Sequence, residues 1–387
     1  MKNARIAIVG GGLSGLHAAR RLERQGVHDY VVLEARDVLG GRIASVDGLG
    51  QTTTHLAGNT GLFDLGPTWF WPDYQRQLHR LVEELGLERF AQFESGDTVV
   101  ENSAAMPPVR VRGYTNSPTS MRLIGGMSAL INALRAGIGP ERIITGQRVR
   151  SLRSEKEFVD LISVDSAGRT STWRAEHVLL ALPPRLAAQT IEFEPLLPAT
   201  LADGWNSTAT WMAAQAKYVA VYDTPFWREQ GLSGEGRSRK GPMVEIHDAS
   251  VPGSCAALFG FIGVPPHLRK TVDDDVMRAH CRAQLVRLFG PQAAAPRADV
   301  VKDWAREPYT AVPADLASEA HHDHGAAPSN MPTTGPWHGR LIGIASEWSP
   351  QFPGYVAGAI EAAELGVKAV VSAMAEIAGR KASILGT

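Results

Sequence analysis

The chain has 387 residues, with 39 Lys plus Arg against 40 Asp plus Glu, a formal net charge of −1 and 44% hydrophobic content. That length suits two domains with substantial cores, and the near-neutral balance excludes binding to nucleic acid or an anionic membrane through bulk charge. Cys255 and Cys281 are the two cysteines, too few for a disulfide framework or a cysteine metal site. No apolar run approaches the ~20 residues of a bilayer-spanning helix. The first strand is expected within a few residues of Met1, leaving no room for a leader, and the chain ends in a small polar tail, so the cytoplasm is the expected location.

A short apolar strand, 6–9, runs into Gly10-Gly11-Gly12-Leu13-Ser14-Gly15. Helical periodicity follows (Leu16, Ala19, Leu22) and stops at Gly26; a second strand, 30–33, ends in Glu34. Gly10 permits the tight strand-to-helix turn, Gly12 lets backbone approach a pyrophosphate, and Gly15 lets helix and strand pack closely. The helix N-terminus offers N–H groups to phosphates, and an acid about 20 residues beyond the glycines is placed for a ribose diol. These features predict a dinucleotide site without choosing between nicotinamide and flavin.

The residues after Glu34 make that choice. Ala35-Arg36-Asp37-Val38-Leu39-Gly40-Gly41-Arg42 resembles the E-x5-GGR extension of the flavin-containing amine oxidase family. The resemblance implies FAD, with contacts from Gly10, Gly12, Leu13, Ser14, Gly15, Glu34, Ala35, Arg36, Gly41 and Arg42. A guanidinium fork suits a pyrophosphate.

Further along, a Gly- and Thr-rich loop (48–61) leads to Phe63-Asp64-Leu65-Gly66-Pro67-Thr68-Trp69. In the family this segment returns beside the flavin, which implies contacts from Gly66, Pro67 and Thr68. Relatives that oxidise amino acids carry an arginine soon after the glycine to hold the substrate carboxylate. Here Trp69 and Trp71 stand instead, as an aromatic wall for an apolar or cationic amine or as plain packing. Asp73 is the expected cap of an amphipathic helix carrying Leu78, Leu81, Val82 and Leu85 and closed by Gly86. The following 30 residues read as mixed and loop-like.

A helix with Met127, Leu130, Ile131 and Leu134 on one face comes next, then a short strand at 143–144 and Gln147-Arg148-Val149-Arg150. The resemblance places the backbone of Val149 against the adenine. A hairpin turns at 166–168, and the apolar run 177–182 ends at Pro183-Pro184.

The stretch 211–222 reads as a strand in which Lys217 is the one cation, followed by Pro225-Phe226-Trp227. It is similar to the family's K-x4-Y-x2-P-F-W segment, whose lysine holds a water against flavin N5. Such a desolvated lysine has a depressed pKa; a strand-edge lysine reaching solvent is the alternative. A helix at 274–289 ends at Gly290, and Trp304 and Tyr309 form a family-like W-x4-Y segment. Trp304 is expected beside the isoalloxazine and Tyr309 at the substrate. Where flavinylated relatives have a cysteine and a tyrosine, this chain has Pro313 and Ala314, so the FAD is expected to be noncovalent and one ring of the usual aromatic cage is missing. His321-His322-Asp323-His324 lacks further ligands at defined spacing and is read as a solvated loop, so no metal is expected.

The stretch 339–347 reads as a strand ending in Glu347; Tyr355 and Val356 follow in FPGYVAGAIE, which resembles the family's C-terminal signature. It implies FAD contacts from Glu347, Tyr355 and Val356, a helix dipole aimed at the flavin, and Tyr355 as the surviving cage ring. Lys217, Trp304 and Tyr355 are therefore the expected catalytic group.

The expected fold is α/β with an α+β second domain: a Rossmann-like FAD domain (1–70, 120–190, 335–387) interwoven with a substrate domain of mixed sheet and helices (71–119, 191–334). The expected function is FAD-dependent oxidation of an amine to an imine, with O2 or another acceptor and no nucleic-acid or membrane partner; the sequence leaves the oligomeric state open, a homodimer being one option. A desaturase or cyclic-amine oxidase of the same scaffold, and a flavin redox sensor without turnover, are the alternatives.

Overall fold

The computed structural model describes residues 1–53, 61–103, 105–317 and 326–385. They form two compact units, one of Met1–Gly41, Ala133–Trp211 and Ser318–Thr387, the other of Arg42–Asn132 and Met212–Ala317.

The first unit is built on one sheet, in the spatial order Ile143–Ile144, Tyr30–Leu33, Lys2–Val9, Thr170–Leu180, Phe158–Val164, Arg148–Glu155 and Glu192–Glu194, with Leu341–Gly343 also pairing Thr170–Leu180. The strands around Lys2–Val9 are parallel, and their fully buried stretches are near-continuous apolar runs, as strands covered on both faces require. The long strand Thr170–Leu180 changes neighbours along one edge. Its first half pairs antiparallel with Phe158–Val164, and Val178–Leu180 then pair parallel with Leu341–Gly343. Helix Leu13–Arg24 packs against the C-terminal helix Val356–Leu385. Val9, Leu33, Leu161, Val178, Trp205 and Trp348 belong to one continuous core.

The second unit carries a seven-stranded sheet in the order Ala298–Asp303, Ala216–Tyr222, Ala256–Ile262, Met243–Asp248, Leu232–Ser238, Asp97–Glu101 and Val109–Val111. It is antiparallel except for the pairing of Leu232–Ser238 with Asp97–Glu101. Strand alternation divides its core in two. Tyr218 and Ala220 face helix Asp274–Phe289, through Met277, Cys281 and Leu285. Val219 and Val221 face Val46, Phe63 and Leu65.

The α/β organisation and most elements agree with the sequence reading; helix Asp274–Phe289 and its Gly290 stop (φ +98°) agree to the residue. Several details differ. The strand expected at 211–222 begins only at Ala216 and runs to Tyr222. The helix expected from Asp73 spans Arg76–Glu84 with Gln75 at its cap position, because the N–H groups of Tyr74 and Gln75 first close a turn onto the Trp71 carbonyl. The region after Gly86 is not loop-like: it holds strands Arg89–Ala91, Asp97–Glu101 and Val109–Val111, too short to show periodicity. Of the strand expected at 339–347, Leu341–Gly343 is extended and Glu347 lies in a 3-10 turn, Ser346–Trp348. Residues 42–70 and 120–132 lie within the second unit, whereas the sequence reading grouped them with the FAD domain. The His321–His324 cluster lies outside the described residues.

Leu285 is 1% exposed at the centre of the helix–sheet core of the second unit. Leu285→Ala is expected to destabilise this unit by about 2–5 kcal/mol, read as a lower urea midpoint with an unchanged slope. A loss below about 1 kcal/mol would show that the site collapses around the missing methyls.

Candidate functional site

In the first unit the residues expected at the dinucleotide come together around the turn after Lys2–Val9. Gly10 sits at φ +111°, and a Cβ there would lie 2.7 Å from the Ala181 carbonyl oxygen. A Cβ at Gly15 would lie 2.0 Å from the oxygen of Gly10. Both positions therefore exclude any side chain. Gly12 is different: a Cβ would meet nothing nearer than 3.8 Å, the Gly40 oxygen and Gly41 Cα. Packing does not require glycine there, and the bare backbone is open to a ligand. Gly12 precedes a helix that has no side-chain cap and no acid in its first turn, so the N–H groups of Leu13, Ser14 and Gly15 stand ahead of the first intrahelical bond, from Leu16 to Gly12. These features fit a pyrophosphate.

The Gly40-Gly41 turn lies against Gly12 through a bridge and a 3.0 Å bond from the Gly40 N–H to the Gly11 carbonyl. Glu34 is 4% exposed, and its two carboxylate oxygens accept from the Gly11 N–H (2.7 Å) and the Arg36 N–H (2.8 Å). The acid at the strand tip is thus locked to the glycine turn 23 residues earlier. Val149 is buried in Arg148–Glu155, where the pairing slips by a bulge between Val149 and Ser151.

At the C-terminal end of this unit Glu347 is 3% exposed and accepts from the Trp211 N–H (3.3 Å) and the Ser346 hydroxyl (3.0 Å). The Gly354 N–H donates to the Ser346 carbonyl, which sets the turn into helix Val356–Leu385. Tyr355, just ahead of that helix, is 38% exposed.

The second unit holds the other group. Lys217 is 1% exposed, and its ammonium donates to the Asp64 carbonyl (3.2 Å), the Gly66 carbonyl (2.8 Å) and the Thr68 hydroxyl (2.8 Å). Its Nζ lies 4.2 Å from the Phe259 ring centroid and 5.4 Å from that of Phe261. It is therefore no strand-edge lysine reaching solvent. Burial pushes its pKa down to about 7, against the attraction of Asp64 and with the repulsion of Arg122. Asp64 is itself buried, which raises its carboxyl pKa; Lys217, Arg122 and donors from the Met127 N–H and the Ser45 hydroxyl work in the opposite direction.

Trp304 is 1% exposed and donates its indole N–H to the Leu65 carbonyl (3.1 Å). The indole N–H of Trp69 goes to Gln92 (2.8 Å), and its ring lies edge-on to His247 at 4.8 Å and tilted to Phe259 at 5.4 Å. Trp71 points elsewhere, to the Ser120 hydroxyl (3.0 Å). Tyr309 and Pro67 are half-buried. Lys217, Gly66, Thr68, Trp69 and Trp304 are thus brought together, and Trp71 is not part of that group.

Sequence reading missed several partners. Gln92 carries no local signal, since it acts on residues remote in the chain; Asp64 opens the family-like D-x-G segment, but nothing in that segment pairs it with Lys217. Arg122, 2% exposed, spends both terminal nitrogens on the carbonyls of Ser250 and Ala249 (2.9 and 2.8 Å). Glu245 and His247 are bonded to each other at 2.7 Å; their alternation within Met243–Asp248 was the available signal.

Between the ordinary 10.5 and about 7, the unfolded chain holds a proton on Lys217 that the folded chain does not. Stability from this group therefore rises with pH across that window. The melting temperature of the protein minus that of its Lys217→Met variant is expected to increase as pH is raised from about 7 to 10. A gap independent of pH would show that the lysine remains charged when folded.

Comparison with known proteins bears on the whole chain. The sequence matches the family described as flavin containing amine oxidoreductase over residues 13–112 and 101–371. It is 23% identical over 477 aligned positions to the flavin-containing amine oxidase B of Sus scrofa, covering 96% of this chain and 87% of that one. It is 25% identical over 363 positions to the putrescine oxidase of Kocuria rosea, covering 66% and 72%. Its fold is similar to that of the cyclohexylamine oxidase of Brevibacterium oxydans, with a TM-score of 0.75 at 21% identity over 97% of this chain and 99% of that one. The glycine turn with its buried acid and the buried lysine among aromatic rings thus stand in a chain that belongs to the flavin containing amine oxidoreductase family.

Proposed function

We propose that this FAD-dependent amine oxidase binds its cofactor noncovalently and oxidises an apolar primary or secondary amine to the imine, with O2 taking up the electrons. The observation that carries the substrate class is the aromatic surface around Lys217. Trp69, Phe259 and Phe261 lie together there, Trp69 stands where a carboxylate-binding arginine is expected, and Arg122 has both terminal nitrogens committed to backbone carbonyls. Lys217 and Arg122 already donate to protein oxygens there; a neutral amine with an apolar substituent finds rings. FAD, when bound, supplies the two-electron acceptor for the hydride leaving the amine α-carbon.

The protein's share is to hold, orient and dry the reactants. Gly10, Gly12 and the N–H groups of Leu13, Ser14 and Gly15 are proposed to take the pyrophosphate, together with Gly41 and Arg42. Glu34, with Ala35 and Arg36, takes the adenosine ribose, and Val149 the adenine. Glu347, Tyr355 and Val356, and in the second unit Gly66, Pro67, Thr68 and Trp304, are proposed for the flavin end. Trp69, Tyr309 and Tyr355 are proposed for the amine; Trp71, bonded to Ser120, is withdrawn from that role. Lys217 is proposed to fix the 64–68 segment and Trp69 with it. The water-holding role implied by the family resemblance requires release of one of its three contacts, and a lysine that titrates near neutrality gives up one donor on losing its proton. A cytoplasmic location is proposed on the two cysteines, 255 and 281, both of which are free thiols.

The protein is expected to purify yellow and to release its flavin on acid precipitation; flavin retained in the pellet would overturn noncovalent binding. Glu34→Ala is expected to weaken FAD retention in a folded protein, and unchanged retention would remove the ribose assignment. Mixed anaerobically, benzylamine and cyclohexylamine are expected to bleach the visible flavin band faster than phenylalanine does. Faster bleaching by the amino acid would overturn the assignment of Trp69.

A further inference from the structure

The sheet of the second unit carries a titratable pair on the same face as Lys217. Glu245 pairs directly with Phe261, and Phe261 with Lys217; His247 pairs with Phe259, and Phe259 with Val219. Directly opposed residues of antiparallel strands point to one face, so Lys217, Phe261 and Glu245 form one rung and Val219, Phe259 and His247 the next. Strands lie about 4.8 Å apart, which sets Lys217 and Glu245 about 10 Å apart across an aromatic floor. Trp69 lies over that floor, 4.8 Å from the His247 ring and 5.4 and 6.5 Å from those of Phe259 and Phe261.

The pair has a defined polarity. Nε2 of His247 is 2.7 Å from Oε1 of Glu245. An ionised carboxylate only accepts, so Nε2 carries the hydrogen, and in the neutral ring the free lone pair is then at Nδ1. The histidine side chain is 16% exposed and the glutamate 41%: the ring is sheltered beside Trp69, and the carboxylate reaches solvent. Of the charged groups around the pair, Arg237 is the cross-strand neighbour of Glu245 and is itself paired with Glu235. Lys217 lies further along the same face. Asp248 points to the other face, where it holds Trp227 and Arg228.

We propose that His247, held by Glu245, takes the proton from the substrate ammonium and delivers the neutral amine to the wall formed by Trp69. An alkylammonium is attracted by the carboxylate and by the ring faces. Its N–H proton passes to Nδ1, the nitrogen keeps the electron pair, and the imidazolium formed is stabilised by Glu245 until its proton leaves to water. No electrons move in this step. The proposal rests on the reading of Trp69 as substrate wall, and it supplies what that reading needs, since only an unprotonated nitrogen can expel hydride from its α-carbon.

The test is anaerobic stopped-flow reduction of the holoenzyme by benzylamine and cyclohexylamine, followed by flavin bleaching over a range of pH. In His247→Gln and His247→Asn the second-order rate of reduction at neutral pH is expected to fall about a hundredfold, with the acid limb of the profile moved up to the ionisation of the amine itself. Glu245→Gln is expected to give a smaller loss, because the imidazolium then forms without its carboxylate partner. Flavin absorbance and melting temperature close to those of the parent mark a folded, loaded variant. A profile unmoved in folded His247 variants would overturn the proposal. Failure of the wall reading is separate: Trp69→Phe would leave the amine concentration for half-maximal reduction unchanged. A parent enzyme bleached by neither amine would overturn both.

Discussion

Three successive backbone carbonyls set the arrangement of the second unit. Those of Asp64 and Gly66 accept from Lys217, and that of Leu65, between them, accepts from Trp304. An ammonium taken out of water without partners costs several kcal/mol, so the strand carrying Lys217 is stable where it lies only with this segment against it. The dependence runs in both directions. A loop carbonyl removed from water also needs a donor, and here both donors are side chains. They come from neighbouring strands: Ala216–Tyr222 pairs with Ala298–Asp303, and Trp304 directly follows the second. The N–H of Leu65 returns to the Ala44 carbonyl. A segment 150 residues before Lys217 is thereby fixed without belonging to the large sheet.

The same economy fixes the aromatic wall. Trp69 follows one residue after Thr68, itself a partner of Lys217, and its indole N–H is held by Gln92. Gln92 in turn donates to the Asp248 carbonyl, and the Asp248 carboxylate holds Trp227 and Arg228. Trp69 is thus fixed at its polar atom as well as by contact with Phe259 and Phe261. That pre-organises an apolar surface, because a tryptophan whose N–H is already paired does not turn to seek a partner when a ligand displaces water.

What could be read from the sequence was what is local in the chain. The glycine turn, the acid at the tip of the second strand, and the helix from Asp274 to Phe289 with its glycine stop signal all act within one or two elements. The lysine could be singled out because it interrupts an apolar strand, but its partners could not. They lie about 150 residues away, two of them are backbone carbonyls that any residue type supplies, and Asp64 and Arg122 act on it through charge across the fold. Glu34 is intermediate: its place was legible, its two backbone donors were not. Glu245 and His247 show how period-two alternation becomes informative once register is known. Two positions apart on one strand they share a face, but only pairing through Phe259 and Phe261 shows that it is the face of Lys217.

Glycines that look alike in a motif answer to different constraints. A side chain at Gly15, Gly66 or Gly358 would place its Cβ 2.0, 2.1 or 1.9 Å from the backbone oxygen of Gly10, Arg42 or Phe352. A backbone oxygen cannot yield without moving its whole segment, so these three glycines belong to the fold. A Cβ at Gly12 would meet only ordinary contacts, the Gly40 oxygen and the Gly41 Cα at 3.8 Å. Gly12 lies between two glycines, one strained in φ and one enclosed, and is neither. Removing its side chain does nothing for packing and leaves backbone uncovered at a helix N-terminus, which has a solvation cost when nothing binds there. The motif thus joins two glycines that make the turn with one that the turn does not need, and that surplus position points to a ligand more directly than the pattern as a whole.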